Sequence, residues 1–268
     1  MLSTNGKIVK FISQSKAKVN FKDLKMQFCR SGLLSQKSLK SIIKTLIEDG
    51  TLKYIYEFGR SYIDISYERP ILISEHVYIK PENSSFHSHP GQTVIALKKG
   101  SSFGGGEHPT TRLCIHLIDV VLHSNRFSKQ KDDYRGLDIG TGSGILALVA
   151  AKLGVKSITA LDNNPCAIYE AKDNVCLNGM SEKIIVENQT VSELSGCYDL
   201  VMANLRYPTL IDLREVIDKK LKAESTLILS GLKPDEVQLI LHHYKKSRFI
   251  AWNKVVENGW CAICLVRD

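Results

Sequence analysis

Four side chains in this sequence could carry or position chemistry, Glu107, His108, Asn204 and Tyr207, the first two directly after a run of three glycines. The first two lie in "SSFGGGEHPTT", Ser101 to Thr111. A carboxylate beside an imidazole can take a proton from a nucleophile, and the carboxylate can hold a cationic nitrogen. Each also has a plainer reading. Glu107 can complement the dipole of a helix start, and His108 can hydrogen-bond its own loop. Asn204 closes the apolar run "YDLVMAN", which reads as a strand. Tyr207, three residues on, can stack on a planar substrate.

A second glycine run, "LDIGTGSGILALVAAKLG", places Gly140, Gly142 and Gly144 between a strand pattern and an apolar helix. A dinucleotide fingerprint, G-x-G-x-x-G, would need glycine at position 145, where Ile145 stands. The physical use is related. Glycines at a strand-to-helix turn admit a ligand close to the backbone, and the helix start offers amides to an anionic group. Asp162 follows Gly140 by 22 residues, at the end of the next strand. A carboxylate there can accept from both hydroxyls of a ribose. The order strand, glycine turn, helix, strand, acid predicts a pocket for a nucleoside-bearing cofactor.

The elements that position these groups alternate. "GLDIG", "SITALD", "KIIVEN", "YDLVMANL" and "STLILSG" read as strands, while "GILALVAAKLG", "PCAIYEAKDNVCLNG" and "KPDEVQLILHHYK" read as helices. That alternation predicts a parallel sheet covered on both faces. Asn164 and Pro165 supply a cap and a first-turn proline. Two further strand patterns meet at Asn258-Gly259, a hairpin signal, so the sheet is expected to end on an antiparallel strand. Cys261 and Cys264 form a CxxC pair on that last strand. Residues three apart on a strand point to opposite faces, so no metal or redox site is expected there.

The first quarter differs in character. Residues 1–70 hold 13 Lys and Arg against 6 Asp and Glu, whereas the remaining 198 hold 23 against 22. "GKIVKFISQSK", "NFKDLKMQFCR" and "SQKSLKSIIKTLIEDG" read as helices, the last with Ser35 at its start and Gly50 at its end. Its apolar face is Leu39, Ile42, Ile43, Leu46 and Ile47, and its basic face carries Lys37, Lys40 and Lys44. "TLKYIYEFGRSYIDIS" alternates as two strands around a Phe58-Gly59-Arg60 tip. Residues 1–66 therefore resemble a winged helix-turn-helix. Lys37, Lys40, Lys44 and Arg60 are its expected contacts, either with phosphates or with a docked protein, and the plainer reading makes the lysines the solvated face of a structural helix.

No apolar run approaches the roughly 18 residues of a membrane helix. Seven cysteines without framework spacing and a start, "MLSTNGKIVK", without a signal core set the expectation of reduced thiols and a cytoplasmic protein.

"LDIGTGSGILALVAAKLG", "ALDNNP" and "NVCLNG" together resemble the class I S-adenosylmethionine-dependent methyltransferases. "FGGGEHPTT" resembles the F-G-T-G-x-H-P-T-T loop of the PrmA family, and "MANL" resembles its A-N-[IL] segment. The likeness runs from about Pro90 to the C-terminus. It implies an α/β, Rossmann-like methyltransferase sheet over 101–268, a connecting segment over 67–100, and S-adenosyl-L-methionine as cofactor. By this resemblance Phe103, Gly104 and Thr111 lie at the methionine end, with Asp138, Gly140, Gly142 and Gly144 lining the pocket. Asp162 and Asn163 stand at the ribose, and Asn204 beside the methyl group. The sequence departs from the family at Glu107, where an uncharged residue is usual, and before residue 67, where the family carries a ferredoxin-like domain. "NLRY" is also similar to the [DN]-P-P-[YF] segment of enzymes that methylate amide or base nitrogens, without its prolines. The expected activity is methyl transfer to a nitrogen of a protein, ribosomal by the resemblance. A nucleic-acid methyltransferase guided by the N-terminal domain is the alternative. A cofactor-sensing DNA-binding regulator is the non-enzymatic reading.

Overall fold

The structure is a computed structural model that describes residues 3–15, 17–57, 59–98, 100–128, 133–244 and 247–267. The chain divides into two compact units, Met1–Arg69 and Pro70–Asp268.

The smaller unit holds α1 (Thr4–Gln14), α2 (Phe21–Phe28), α3 (Gln36–Glu48), β1 (Leu52–Glu57) and β2 (Arg60–Ile65). Each helix starts on a side-chain cap. Ser3 accepts from the Gly6 N–H, Asn20 forms a reciprocal capping box with Asp23, and Ser35 accepts from the Ser38 N–H. The core is Ile8, Ile12, Leu24, Phe28, Leu39, Ile43, Leu46 and Ile63. β1 and β2 pair antiparallel, and Val19 bridges Ile63 to lengthen that small sheet. Lys37, Lys40, Lys44 and Arg60 are all exposed. Phe58, at the expected tip, lies outside the described residues.

In the larger unit a seven-stranded sheet runs β11-β12-β10-β9-β6-β7-β8. Its strands are β6 (Arg135–Ile139), β7 (Ser157–Leu161), β8 (Ile184–Glu187), β9 (Tyr198–Asn204), β10 (Leu221–Leu232), β11 (Phe249–Glu257) and β12 (Trp260–Arg267). The neighbours from β10 to β8 pair parallel, and β12 pairs antiparallel with both β10 and β11. The β11–β12 turn puts Asn258 and Gly259 at positive φ, which is why that dipeptide makes so tight a hairpin. Strand residues alternate between two cores. Leu200, Met202 and Cys264 face α4 (Pro109–Leu122), α6 (Ile145–Lys152) and α7 (Pro165–Leu177). Val201, Ala203 and Cys261 face α8 (Tyr207–Asp212), α9 (Arg214–Lys219) and α10 (Glu236–Tyr244). The CxxC cysteines thus point to opposite faces, as strand geometry requires.

Residues 67–100, expected as a connecting segment, carry a three-stranded sheet of β3 (Ile71–Leu72), β4 (Val77–Pro81) and β5 (Thr93–Leu97). Val77, Ile79, Ile95 and Leu97 join the core made by α4, α6 and α7. Asn174 and Asn178 of α7 fasten β5, accepting from the Lys98 and Ala96 N–H groups, each at 3.0 Å. No helix among the described residues is long and apolar enough to cross a membrane.

Candidate active site

The two glycine runs meet at the ends of β6 and β9. The Ser143 N–H donates to the Phe103 carbonyl at 2.9 Å, and its hydroxyl donates to the Gly104 carbonyl at 2.9 Å. Gly142 has φ +55, and a Cβ there would meet the Phe103 carbonyl oxygen below the 3.0 Å that real Cβ contacts respect. On Gly104 a Cβ would sit 2.6 Å from Ser143 Oγ, and on Gly140 2.6 Å from Leu205 Cδ2. Gly104 and Gly142 therefore serve to interlock the runs. Gly105 is different, with open space where a Cβ would go.

The loop is tied down along its length. Glu170 on α7 accepts from the Ser101 and Ser102 N–H groups at 2.9 and 3.0 Å. Arg112 on α4 donates to the Gly106 and Glu107 carbonyls at 3.2 and 2.6 Å, and it pairs with Glu257 of β11 at 2.9 Å. His108 is the N-cap of α4. Its Nδ1 accepts from the Thr110 N–H at 3.3 Å and lies 2.8 Å from the Thr110 hydroxyl. Its ring sits between Phe103 and Trp260, with centroids 5.1 and 5.0 Å away, and Lys233 lies over the Trp260 ring. Burial and the nearby Arg112 and Lys233 charges hold its pKa below the usual imidazole value. A neutral imidazole is what a capping acceptor requires, and this cap role matches the loop-bonding alternative for His108. Glu107 is exposed.

On the opposite wall Asp138 is wholly buried at the end of β6. Its Oδ2 accepts from the Thr141 hydroxyl at 2.7 Å and the Ala147 N–H at 3.2 Å, while Oδ1 has no hydrogen-bond partner among the described residues. Burial pushes this carboxyl from 3.8 up to about 6, against those two hydrogen bonds. Thr111 Oγ1 is likewise buried and without a hydrogen-bond partner among the described residues. Asp162 receives the Gly142 N–H on Oδ2 and the Asn164 N–H on Oδ1, both at 2.9 Å. Lone pairs on both oxygens remain for further donors. Asn163 beside it is exposed. Asn204 ends β9 opposite Ser230 of β10, and the Leu205 N–H donates to the Ser230 carbonyl at 3.1 Å. Tyr207 is half-buried at the first position of α8 and packs partly on the core beneath it.

Phe103, Gly104, Thr111, Asp138, Gly140, Gly142, Gly144, Asp162 and Asn204 thus come from elements that converge on the glycine turn. The helpers Ser143, Glu170, Arg112, Glu257, Trp260 and Lys233 escape a local reading of the sequence. Glu170 meets Ser101 across 69 residues and Glu257 meets Arg112 across 145, so only the fold brings them together. Ser143 was visible inside the glycine run, but its hydroxyl's target was not.

The description "Ribosomal protein L11 methyltransferase (PrmA)" fits a family that matches residues 62–268, more than three quarters of the chain. The chain belongs to the PrmA family. The match begins well before Pro90, where the motif resemblance starts, and leaves most of the N-terminal unit outside it. A ribosomal protein L11 methyltransferase of Geotalea daltonii is 33% identical over 202 residues, covering 74% of this chain and 64% of its own length. One from Geotalea uraniireducens is 31% identical over 182 residues, 66% of this chain and 58% of its own. The chain therefore spans about six tenths of the length of these relatives. The crystal structure of a ribosomal protein L11 methylase from Lactobacillus delbrueckii subsp. bulgaricus superposes with a TM-score of 0.66 at 29% identity. The superposition covers 75% of this chain and 99% of that one. The cofactor of this PrmA-family chain is S-adenosyl-L-methionine, and the residues present fit it. A buried carboxylate oxygen without a partner suits a cationic cofactor, and a glycine turn with a following acid suits its nucleoside.

Proposed function

We propose that the chain transfers a methyl group from S-adenosyl-L-methionine to a nitrogen of a ribosomal protein, with L11, for which its family is named, as the acceptor. The observation that carries this reading is the interlock of the FGGGEHPTT loop with the GTGSG turn beside Asp138, a buried carboxylate with one oxygen unpartnered among the described residues. In the bound state Asp138 would hold the methionine ammonium and Asp162 the ribose hydroxyls. Asn163 would flank the ribose, and Gly140, Gly142 and Gly144 would line the pocket. Phe103, Gly104 and Thr111 would cover the methionine end. The cofactor supplies an electrophilic methyl on a sulfonium, which departs as a neutral thioether without needing a proton. The protein's task is to place a neutral nitrogen in line and keep water out. Asn204 would orient that nitrogen, and Tyr207 would border it. An ammonium must first lose a proton. With His108 Nδ1 engaged as a cap, Glu107 and solvent are the routes for it.

Glu107→Gln tests the loop carboxylate. It is expected to leave cofactor affinity nearly unchanged and to lower turnover, because a contact to the acceptor is lost. Parent-rate turnover would return Glu107 to the role of a helix-start acid.

Asp138 makes two opposite pH dependences. In the free chain its folded pKa, about 6, stands above the ordinary 3.8. Its contribution to stability is therefore full below 3.8 and is lost as pH rises through about 6. A bound cation needs the ionised form, so cofactor affinity should instead rise with pH through about 6. Calorimetry across that range checks the second dependence, which Asp138→Asn should abolish. A pH-independent parent affinity would remove Asp138 from the cofactor site.

One observation supports nucleic acid as a guide or an alternative acceptor. Lys37, Lys40, Lys44 and Arg60 are exposed on the smaller unit, and so are Tyr54 and Tyr56 on its hairpin. If the unit grips a phosphate backbone, affinity should fall steeply with salt, and changing the three lysines together to Glu should abolish it. Salt-independent binding, or no binding to RNA or DNA, would make it a protein-docking unit. The test of the whole reading is a cell lysate incubated with the chain and labelled cofactor. Label removed by protease supports a protein acceptor, and label removed by nuclease contradicts it.

A further inference from the structure

We propose that His76, Asp119 and His123 form a divalent transition-metal site, suited to Zn2+, that joins the small sheet to the end of α4. His76 immediately precedes β4, Asp119 lies in the last turn of α4, and His123 is its C-cap. The Nδ1 atoms of both histidines lie beside one oxygen, Asp119 Oδ1, at 2.9 and 2.8 Å, and His123 Nδ1 is also 2.9 Å from the Asp119 main-chain carbonyl. The two imidazoles stack with centroids 3.8 Å apart and planes 19° from parallel, so one ring must turn about its Cβ–Cγ bond for both to face one ion in their ring planes. One ligand atom from each of the three residues can be chosen so that all lie within 4.8 Å of one another.

Zn2+ takes imidazole nitrogen and carboxylate oxygen at about 2.0–2.2 Å, so neighbouring ligand atoms of a tetrahedral ion stand a little over 3 Å apart. Opening the two contacts to Asp119 Oδ1 by about half an ångström brings those two pairs to that spacing, and the third pair lies within 4.8 Å. The carboxylate is already aimed. Asp119 is almost fully buried, and its other oxygen accepts the His76 N–H at 3.1 Å. Such a second contact fixes the orientation of a metal-binding carboxylate. Both histidines remain partly exposed, which leaves an entry path and room for water as a fourth ligand. The ion would sit at the C-terminal end of α4, where the helix dipole favours a cation. Two imidazoles and one carboxylate suit a borderline ion such as Zn2+ better than the hard cations Mg2+ or Ca2+.

The consequence is structural. α4 carries His108, Pro109, Thr110 and Thr111 at its other end, so the joint fastens the helix that starts at the cofactor loop. The methyl-transfer site contains none of the three ligands.

The test is titration of the chelator-stripped full chain with Co2+, followed by displacement with Zn2+. Unburied free thiols such as Cys166 and Cys176 are the competing ligands, and a thiolate–cobalt charge-transfer band would reveal them. The expected result is one equivalent of Co2+ with a ligand-field spectrum lacking that band. Zn2+ should raise the melting temperature, and His76→Gln and His123→Gln should each weaken binding at least about tenfold. If His76→Gln fails to fold, His123→Gln carries the comparison, since its ring is the more exposed. A thiolate band, undiminished affinity in His123→Gln, or no saturable binding would overturn the site and leave a hydrogen-bonded joint.

Discussion

Gly142→Ala should weaken S-adenosyl-L-methionine binding at least about tenfold while the chain remains folded. Two effects add. Position 142 sits at φ +55, where an L side chain costs about 1–2 kcal/mol. The new methyl would also collide with the Phe103 carbonyl, which accepts from the Ser143 N–H. A backbone oxygen cannot swing aside as the end of a flexible side chain can, so the loop itself must move. The wall of the pocket then separates from the turn. Calorimetry measures the loss, and limited proteolysis within 101–108 reports the loosened loop. Gly105→Ala is the control, because its Cβ would enter open space. Equal losses at both positions would mean that the interlock is not what shapes the pocket.

Asp162→Ala is the second large effect. It removes the acceptor for the Gly142 and Asn164 N–H groups as well as the proposed ribose contact. Charged hydrogen bonds of this kind are worth about 1.5–3 kcal/mol each, so affinity should fall by roughly one to two orders of magnitude. Asp162→Asn keeps the shape and one acceptor oxygen, and it should lose less. Unchanged affinity in Asp162→Ala would place the ribose elsewhere.

Much of this was legible in the residues. The strand–glycine–helix–strand–acid order predicted β6, α6, β7 and Asp162 because a close backbone approach and a helix start leave strong local marks. Asn258-Gly259 marked the final hairpin for the same reason, since two successive positive-φ positions favour that dipeptide. The small sheet at 71–97 was missed. Its strands are two to five residues long, too short for alternation to stand out, and their pairing needs α4, α6 and α7 as a floor. The loop anchors were also hidden, because Glu170 and Glu257 look like ordinary helix and strand carboxylates until the fold sets them against Ser101 and Arg112. His108 shows a different limit. Its type invites a catalytic role, but the local geometry uses Nδ1 to cap α4.

The proposed methyl transfer to a nitrogen of ribosomal protein L11 is tested most directly by intact-mass analysis of that protein. Purified L11 is incubated with the chain and S-adenosyl-L-methionine, with Gly142→Ala in parallel. The expected result is mass gains in whole methyl units that map to nitrogen atoms, and little or no gain with the variant. An unmodified L11, in a reaction where RNA or another protein takes the methyl group, would contradict it.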